Sequence, residues 1–314
     1  MNIRPFTEED VEIAVPIWNL LNPDWPTSVP EVLDDYRKRD PKYLLQSYVA
    51  ELDGQLVGVG ESDLSVASYH PQKFHLTLYV HPDFHGQGIG KALYEKVLES
   101  LKPHNPISAR VQVRESSERA LRFFGERGFV ETKRDWVSVL DVASCDLTPY
   151  EGLESTLTSE DLTFTTLGEL QTKDLEAFRK FHTLFSEVRL DVPRAEPATP
   201  ISYEFFLDNI INAPDFDGRM FLVALDGEDY IGFTGMYPFG DTKALDQWLT
   251  GVKRDYRKRN IALALKIQAI RFAKENSYIS IRTDNDSTNV GMLAINDKLG
   301  FKRGAANLSL LKEF

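Results

Sequence analysis

One glycine-rich turn contains most of the residues that could do chemistry, and it joins an apolar strand to an amphipathic helix. The segment 80–93 reads VHPDFHGQGIGKAL, with three glycines at alternate positions. Glycine lets the backbone approach a ligand closely, and the free N–H groups of the next helical turn point at that ligand with the positive end of the helix dipole. The turn therefore predicts an anion cradle for a phosphate-bearing cofactor. The expected contacts are His85, Gly86, Gln87, Gly88, Ile89, Gly90 and Lys91.

Two common phosphate-binding loops do not fit this turn. A Walker A loop needs Gly five residues before its Gly-Lys pair and Ser or Thr after it, but His85 and Ala92 stand at these places. The dinucleotide-binding fingerprint needs a third glycine three residues after the second, and Lys91 stands there after Gly88. Neither loop is therefore predicted.

The turn resembles the signature of the GNAT superfamily of acyl-CoA-dependent N-acyltransferases, which is Arg or Gln, two residues, Gly, one residue, then Gly or Ala. Residues 85–90 match it, except that His85 replaces Arg or Gln. The flanks agree, because the strand ends at Val80 and a closing Gly128-Phe129 pair follows a further helix. The resemblance implies an acetyl-CoA-dependent N-acetyltransferase with a mixed α/β fold.

The same pattern occurs a second time along the chain. A shift of 172 residues aligns strand, turn, helix and closing glycine without a gap. It places Val252 on Val80, Ile261 on Ile89, Ala264 on Ala92, Leu265 on Leu93, Gly300 on Gly128 and Phe301 on Phe129. The period is too long for a solenoid repeat, so the sequence predicts two tandem GNAT-like domains that arose by duplication.

The second turn carries the family's Arg but lacks its first glycine. Its residues are Arg257, Lys258, Arg259, Asn260, Ile261 and Ala262. Asn tolerates left-handed backbone better than most residues, so the turn is expected to survive and its three cations could attract phosphates. The alternative is a solvated helix start with no ligand.

The composition excludes several classes of protein. The chain of 314 residues is 42% hydrophobic and 27% charged, and no apolar run approaches the length of about 20 residues that a membrane helix needs. A net charge of −12 disfavours nucleic-acid binding and mildly favours cationic substrates. The single Cys145 allows no internal disulfide, which favours a cytoplasmic protein, and the six histidines show no metal-ligand spacing, so no metal is expected.

Hydrophobic periodicity predicts an α/β order of elements in each half. In the first half it predicts strands near 2–5, 44–51, 55–62, 73–80, 107–113 and 129–141, and helices near 8–21, 29–38, 88–101 and 117–126. In the second half it predicts strands near 162–166, 219–225, 230–236, 246–252, 279–283 and 302–311, and helices near 172–187, 202–212, 260–275 and 289–298. We expect an N-terminal domain over 1–143, a linker over 144–160 and a C-terminal domain over 161–314.

The resemblance also assigns the strand before each turn a role in cofactor binding. In the family, that strand diverges from its neighbour, and pantetheine bonds to the exposed backbone. By this comparison Leu78, Val80, Thr250 and Val252 lie beside pantetheine, and a backbone N–H near Leu78 receives the thioester oxygen. A plain core strand is compatible with the same residues.

Attack by a protonated amine needs a base, because a lysine-like amine has a pKa of about 10.4. Glu61, His75 and Tyr79 are the candidates, and the sequence does not decide between them. The family acid, a Tyr four residues before the closing glycine, is replaced by Phe124 and Asn296. Neither can donate as a Tyr does, but a thiolate is a good leaving group and can depart without an acid.

The start of the next helix differs between the halves. The family Asn that meets the cofactor there is replaced by Ser117 in the first half and kept as Asn289 in the second. The main hypothesis is an N-acetyltransferase acting on a small-molecule or peptide amine. The alternatives are one catalytic half with a degenerate structural half, or a non-catalytic acyl-CoA-binding sensor.

Loops are expected to select the acceptor. The segments 22–30 and 189–201 are the candidates, and the second contains a proline-rich stretch that could equally be a rigid connector. Two pockets in one chain could replace the dimer that single-domain relatives form, so we expect a monomer with pseudo-dimeric domains.

Overall fold

In this computed structural model the chain divides into two compact units. Unit 1 comprises Met1–Lys133 and Leu308–Phe314, and unit 2 comprises Arg134–Asn307. The structure describes residues 1–23, 25–194, 196–240 and 242–314. Asp24 and Ala195, which fall in the loops expected to select the acceptor, and Asp241 lie outside the described residues.

Unit 1 is a mixed sheet with helices on both faces. Its elements are β1 (Asn2–Pro5), α1 (Val11–Leu21), α2 (Val29–Lys38), β2 (Leu45–Leu52), β3 (Gln55–Leu64), β4 (Lys73–Val80), α3 (Ile89–Leu101), β5 (Ser108–Arg114), α4 (Glu118–Gly125) and the start of β6 (Val130–Asp141). The first four strands pair in antiparallel order, and β4 pairs with β5 in parallel. The last strand of the chain, β12 (Lys302–Glu313), lies between β5 and β6.

Local sequence explains the helices that frame the unit 1 site. The side chain of Ser28 accepts from the Glu31 N–H, and the Glu31 carboxylate accepts from the Ser28 N–H at 2.8 Å, so a capping box starts α2. On one face of the sheet, α1 buries Val11, Val15 and Ile17 against the strand residues Val49 and Val59. On the other face, α3 buries Ile89 and Leu93 against Ala50 and Val57.

Unit 2 repeats this order of elements. They are α5 (Leu153–Thr158), β7 (Leu162–Thr166), α6 (Leu167–Lys173), α7 (Ala177–Arg189), α8 (Tyr203–Phe206), β8 (Phe221–Asp226), β9 (Asp229–Pro238), β10 (Ala244–Val252), α9 (Ile261–Glu275), β11 (Ser280–Asp286) and α10 (Val290–Leu299). A π-helical turn, Leu207–Ile211, continues α8. As in unit 1, the strand before the long helix pairs with the strand after it in parallel.

Each unit is completed by residues that are distant in sequence. Strand β6 pairs with β11 from Asp135↔Asp286 to Asp141↔Ser280, within unit 2. In unit 1 the Phe314 N–H donates to the Ile107 carbonyl at 3.1 Å, and the Thr132 hydroxyl donates to the Ser309 carbonyl at 3.2 Å. The end of β6 therefore belongs to unit 2, and the end of β12 belongs to unit 1.

The predicted mixed α/β fold with two tandem repeats is confirmed, and two local differences appear. Residues 172–187, predicted as one helix, are divided between α6 and α7, because Asp174 has an extended backbone with φ −137°. The expected linker 144–160 contains α5, whose Leu157 is buried. The linear domain boundaries stay a prediction, since the contacts define a unit 1 that combines two segments of the chain.

The described part of the chain lacks two features, a membrane-spanning helix and a metal-binding cluster of side chains. No helix there combines the length and apolar character needed to cross a membrane. No group of three or more His, Cys, Asp or Glu side chains there is placed to hold a metal ion.

Candidate active site

A cleft opens in unit 1 where β4 and β5 diverge. Their parallel pairing runs from Lys73↔Ser108 to Leu76↔Val111 and ends there, although β4 continues to Val80 and β5 to Arg114. The cleft forms a cavity of about 990 Å³, lined by both strands, the glycine-rich turn, α4 and the end of α1. Strand divergence therefore creates a channel beside exposed main chain.

The main-chain groups of Leu78 and Val80 face this cleft. The His81 N–H donates to the Val57 carbonyl of β3 at 2.8 Å. Because main-chain groups alternate along a strand, those of Val80 and Leu78 point away from β3. The Val80 carbonyl instead accepts from His85 Nε2 at 2.8 Å. The predicted pantetheine-binding backbone is thus presented to the opening.

The glycine-rich turn has the backbone that an anion cradle needs. Gly86 and Gly88 are left-handed, with φ +83° and +80°, and no atom lies within 4 Å of the place where a Cβ of either would stand. The Ala92 N–H closes the first turn of α3 on the Gly88 carbonyl at 3.0 Å, so the preceding N–H groups have no partner within the helix.

Most of the residues predicted to bind cofactor in the first half line this cavity. They are Leu78, Val80, His85, Gly86, Gly88, Ile89, Gly90, Lys91 and Ser117, whereas Gln87 is not among the lining residues. Ser117 is the N-cap of α4, and its side chain makes no capping hydrogen bond. Phe124, at the family's acid position, is buried and has no proton to donate.

The three candidate bases lie on one face of the sheet, toward α1. Cross-strand pairs place Tyr79 opposite Val59, Thr77 opposite Glu61 and His75 opposite Asp63. The Tyr79 ring packs edge-on to Trp18, with centroids 5.6 Å apart. His75 and Tyr79 line the cavity, whereas Glu61 is not among its lining residues.

The environments of these candidates differ. Burial raises the pKa of Glu61, whose carboxylate accepts from the Ser47 hydroxyl at 2.7 Å. Burial, and then the charge of Glu61, raise the pKa of Tyr79 well above its ordinary value, so its phenol stays protonated at neutral pH. Tyr79 therefore lacks the phenolate that could act as a base near neutral pH.

A row of ionisable side chains across three strands was not predicted from the sequence. His75 stands between Asp63 on β3 and Arg110 on β5, its Cα partners on the two sides. All three residues line the cavity, and Arg110 is buried and donates to the Thr132 hydroxyl at 2.8 Å. One signal was available, because the 172-residue shift places Arg282 on Arg110.

Unit 2 has the same turn without glycine. Lys258 and Asn260 adopt φ +64° and +61°, at the places of Gly86 and Gly88. The Arg257 Nε donates to the Val252 carbonyl at 3.0 Å, as His85 does to Val80 in unit 1. The expected tolerance of Asn for left-handed backbone is realised, whereas the left-handed Lys258 was not anticipated.

The other residues of the second half that were predicted to bind cofactor lie around the starts of α9 and α10. Ile261 and Ala262 begin α9 after Asn260, and Asn289 caps α10 by accepting from the Met292 N–H at 3.3 Å. Arg257 pairs with Asp191, and Arg259 pairs with Glu160 at 2.7 Å. Asn296, at the acid position, is buried and donates to Asn285 Oδ1 at 2.6 Å.

A buried polar chain lies between the unit 2 sheet and α9. Lys266 is 1% exposed and donates to Gln247 Oε1, while Gln247 Nε2 donates to the Thr234 hydroxyl at 2.9 Å. The Thr234 hydroxyl lies 2.7 Å from that of Thr250, the β10 residue predicted to lie beside pantetheine. Burial lowers the pKa of Lys266 to about 7.

Comparison with known proteins identifies the same two regions. The family model described as Acetyltransferase (GNAT) family matches residues 14–129 and 180–301. An acetyltransferase of Pectobacterium atrosepticum is 30% identical over 129 residues, which are 40% of this chain and 84% of that protein. An uncharacterized N-acetyltransferase of Archaeoglobus fulgidus is 37% identical over 111 residues, 30% of this chain and 75% of that protein.

Two solved structures are similar over nearly the whole chain. A tandem GNAT protein from the clavulanic acid biosynthesis pathway has a TM-score of 0.74 and 18% identity, covering 99% of this chain and 98% of that one. A GCN5-related N-acetyltransferase from Sphaerobacter thermophilus has a TM-score of 0.70 and 18% identity, covering 99% and 95%. At this identity the similarity concerns the fold alone.

Proposed function

The chain belongs to the acetyltransferase (GNAT) family, and we propose that it uses acetyl-CoA to acetylate a primary amine on a small molecule or peptide. One observation carries the proposal. The unit 1 cavity that is lined by the cradle residues Gly88 and Gly90 is also lined by Asp63 and His75, on the face of the sheet toward α1. A single space therefore joins a phosphate-binding turn to a candidate base.

The residues of unit 1 fit acetyl-CoA. The open space above Gly86 and Gly88 accommodates a diphosphate close to the N–H groups of the first turn of α3. The main chain of Leu78 and the N–H of Val80, which point away from β3, offer pantetheine the hydrogen bonds of a neighbouring strand. Lys91 at the mouth adds a positive charge.

Acetyl-CoA, when bound, supplies an acyl group activated as a thioester. The main chain of Leu78 provides an N–H that can stabilise negative charge on the carbonyl oxygen. We assign His75 the role of general base, because it lines the cavity and imidazole is a common general base near neutral pH. The Cα partners of His75 on the neighbouring strands are Asp63 and Arg110.

Departure of CoA needs no acid from this chain. A thiol has an ordinary pKa of about 8.5, so a thiolate is a tolerable leaving group near neutral pH. This is consistent with the apolar Phe124 at the acid position of unit 1. The same substitution is the observation that favours the alternative of a protein that binds acyl-CoA without transferring its acyl group.

A matched pair of variants tests the cofactor site. A Cβ on Gly90 would lie 3.8 Å from Val80 Cγ2 and 4.0 Å from Phe123 Cε2, so Ala fits while a larger side chain enters the cleft. By calorimetry we expect Gly90→Ala to bind acetyl-CoA within about 2-fold of the unaltered protein, and Gly90→Trp to lose at least 10-fold in unit 1 affinity, about 1.4 kcal/mol. No uptake of acetyl-CoA by the unaltered chain would contradict the proposal, and uptake without turnover of any amine would favour the alternative.

A further inference from the structure

The unit 2 turn keeps the cradle conformation although its residues disfavour it. Lys258 and Asn260 hold left-handed backbone that glycine adopts without penalty and that side chains with a Cβ oppose. Disfavoured backbone persists where the surrounding structure holds it, and it is concentrated at ligand sites. Ala262 stands at the place of Gly90, where an Ala side chain can be accommodated. The unit 2 turn therefore retains the form of an anion cradle.

Strand β10 diverges from β11 next to an acidic side chain. Their parallel pairing ends at Asp246↔Arg282, and the register of β10 on β9 then shifts between Gln247 and Leu249. Such a bulge re-aims the neighbouring side chains. Asp246 pairs with an Arg on β11 as His75 does in unit 1, so it occupies the place of His75.

The Asp246 side chain is partly exposed, and one of its oxygens is buried near a cation. Its side chain is 30% exposed, and Oδ1 is buried without a hydrogen-bond partner among the described residues, 3.7 Å from Arg282. The other titratable or charged groups placed around it are Tyr237 of β9 and Asp284 of β11. Burial, opposed by Arg282, raises the pKa of Asp246 to about 6, which is suitable for a base near neutral pH.

Aromatic rings form a wall beside this carboxylate. Tyr237 is the Cα partner of Asp246, and its ring centroid lies 5.8 Å from that of Trp248. Trp248 is 39% exposed and stacks on Phe185 at 5.3 Å. Aromatic faces attract ammonium groups and pack well against apolar bodies.

We infer that unit 2 is a second acylation site, in which Asp246 takes the proton from a primary amine whose apolar body packs against Tyr237 and Trp248. The inference rests on the proposed function. In this step the amine nitrogen forms a bond to the thioester carbon, and the carbon–sulfur bond breaks. The nitrogen's proton passes to Asp246, and CoA leaves as a thiolate that takes a proton from water.

The experiment uses the full chain with the unit 1 cofactor site weakened by Gly90→Trp. The probe is 2-phenylethylamine with acetyl-CoA, and release of CoA thiol is followed from pH 5 to 8. We expect turnover to remain and to rise as the pH passes through about 6, since the carboxylate is the competent form. Ethanolamine, which lacks the apolar body, is expected to be at least 10-fold poorer in kcat/KM.

Substitutions in this background test the role of Asp246. Asp246→Asn is expected to lower kcat at least 100-fold, to remove the rise near pH 6 and to leave acetyl-CoA binding within about 2-fold. Asp246→Glu should restore part of kcat. Asp229→Asn, an exposed carboxylate in the β8–β9 hairpin, is the matched control and should change nothing.

The results separate this inference from the proposed function. If Gly90→Trp abolishes turnover while a further Ala262→Trp still removes bound acetyl-CoA, unit 2 binds without transferring and the inference is wrong. Unchanged turnover or pH profile in Asp246→Asn would also overturn it. Absence of acetyl-CoA binding by the unaltered chain would remove the proposed function itself.

Discussion

At the scale of single residues, His85 and Arg257 make the same local hydrogen bond. Each side chain bonds the carbonyl at the end of its strand, Val80 at 2.8 Å and Val252 at 3.0 Å. This bond fixes the turn against the strand that precedes it. The departure from the family signature at His85 therefore keeps a positioning contact and changes only the group that makes it.

Removing this contact should loosen the unit 1 cradle. We expect His85→Ala to weaken acetyl-CoA binding by about 3- to 10-fold, since a single hydrogen bond contributes about 1 kcal/mol. His85→Arg should retain near-native affinity, because Arg257 makes the equivalent bond. Calorimetry measures both, and equal losses in the two variants would show that the Val80 contact is not what matters.

At the scale of elements, helix α9 carries an ammonium group into the core of unit 2. Lys266 has the polar partner Gln247 and lies over the Phe301 ring, with Nζ 5.0 Å from its centroid. At the equivalent places unit 1 has Tyr94 on helix α3 instead of Lys266, and Leu76 on β4 instead of Gln247. The two units thus fill equivalent interior positions with side chains of different polarity.

This difference predicts how stability depends on pH. A lysine pKa depressed by folding contributes stability that is present above about 10.4, the unfolded value, and lost as the pH falls through about 7, the folded value. The loss between pH 10 and pH 7 is about 4 kcal/mol, at 1.36 kcal/mol per pKa unit. Lys266→Met with Gln247→Leu, which removes both partners together, should raise the free energy of unfolding at pH 7 and flatten this dependence.

Denaturant unfolding of unit 2 at several pH values measures the effect. Lys302→Met, at an exposed place on β12, is the control and should leave the pH dependence unchanged. A double variant as pH-dependent as the unaltered protein would exclude Lys266 as the cause.

The elements with strong local signals were predictable from the sequence. Strand β4 and helix α2 have the predicted bounds, because alternation and the Ser28–Glu31 capping box are local. The Asp63–His75–Arg110 row was not predictable, since it depends on the register of three strands. Left-handed Lys258 was also missed, because its conformation follows from the closure of the turn and not from its own preference.

At the scale of the whole molecule, unit 1 is not a continuous segment of chain. Residues 308–314 belong to unit 1, where Lys312 Nζ donates to the Tyr94 hydroxyl at 3.3 Å and the end of β12 lies next to β5. Strand β5 is also one wall of the cleft. The integrity of the first cofactor site therefore depends on residues encoded after unit 2.

Deleting residues 308–314 should disable unit 1. The edge of β5 would lose its neighbouring strand, including the partner of the Ile107 carbonyl. We expect the melting temperature of unit 1 to fall by at least about 5 °C and its acetyl-CoA binding to be lost. Lys312→Ala, which removes the contacts of one side chain but keeps the strand, should lose less than about 1 kcal/mol. Full binding by the truncated chain would contradict the assignment of β12 to unit 1.

The shared strands also impose an order on folding during synthesis. When Lys133 leaves the ribosome, unit 1 has every residue except those that cover β5, and they arrive only after all of unit 2 has been translated. Until then β5 presents an unpaired edge that another nascent chain could join. Slow translation between the halves would lengthen this vulnerable interval.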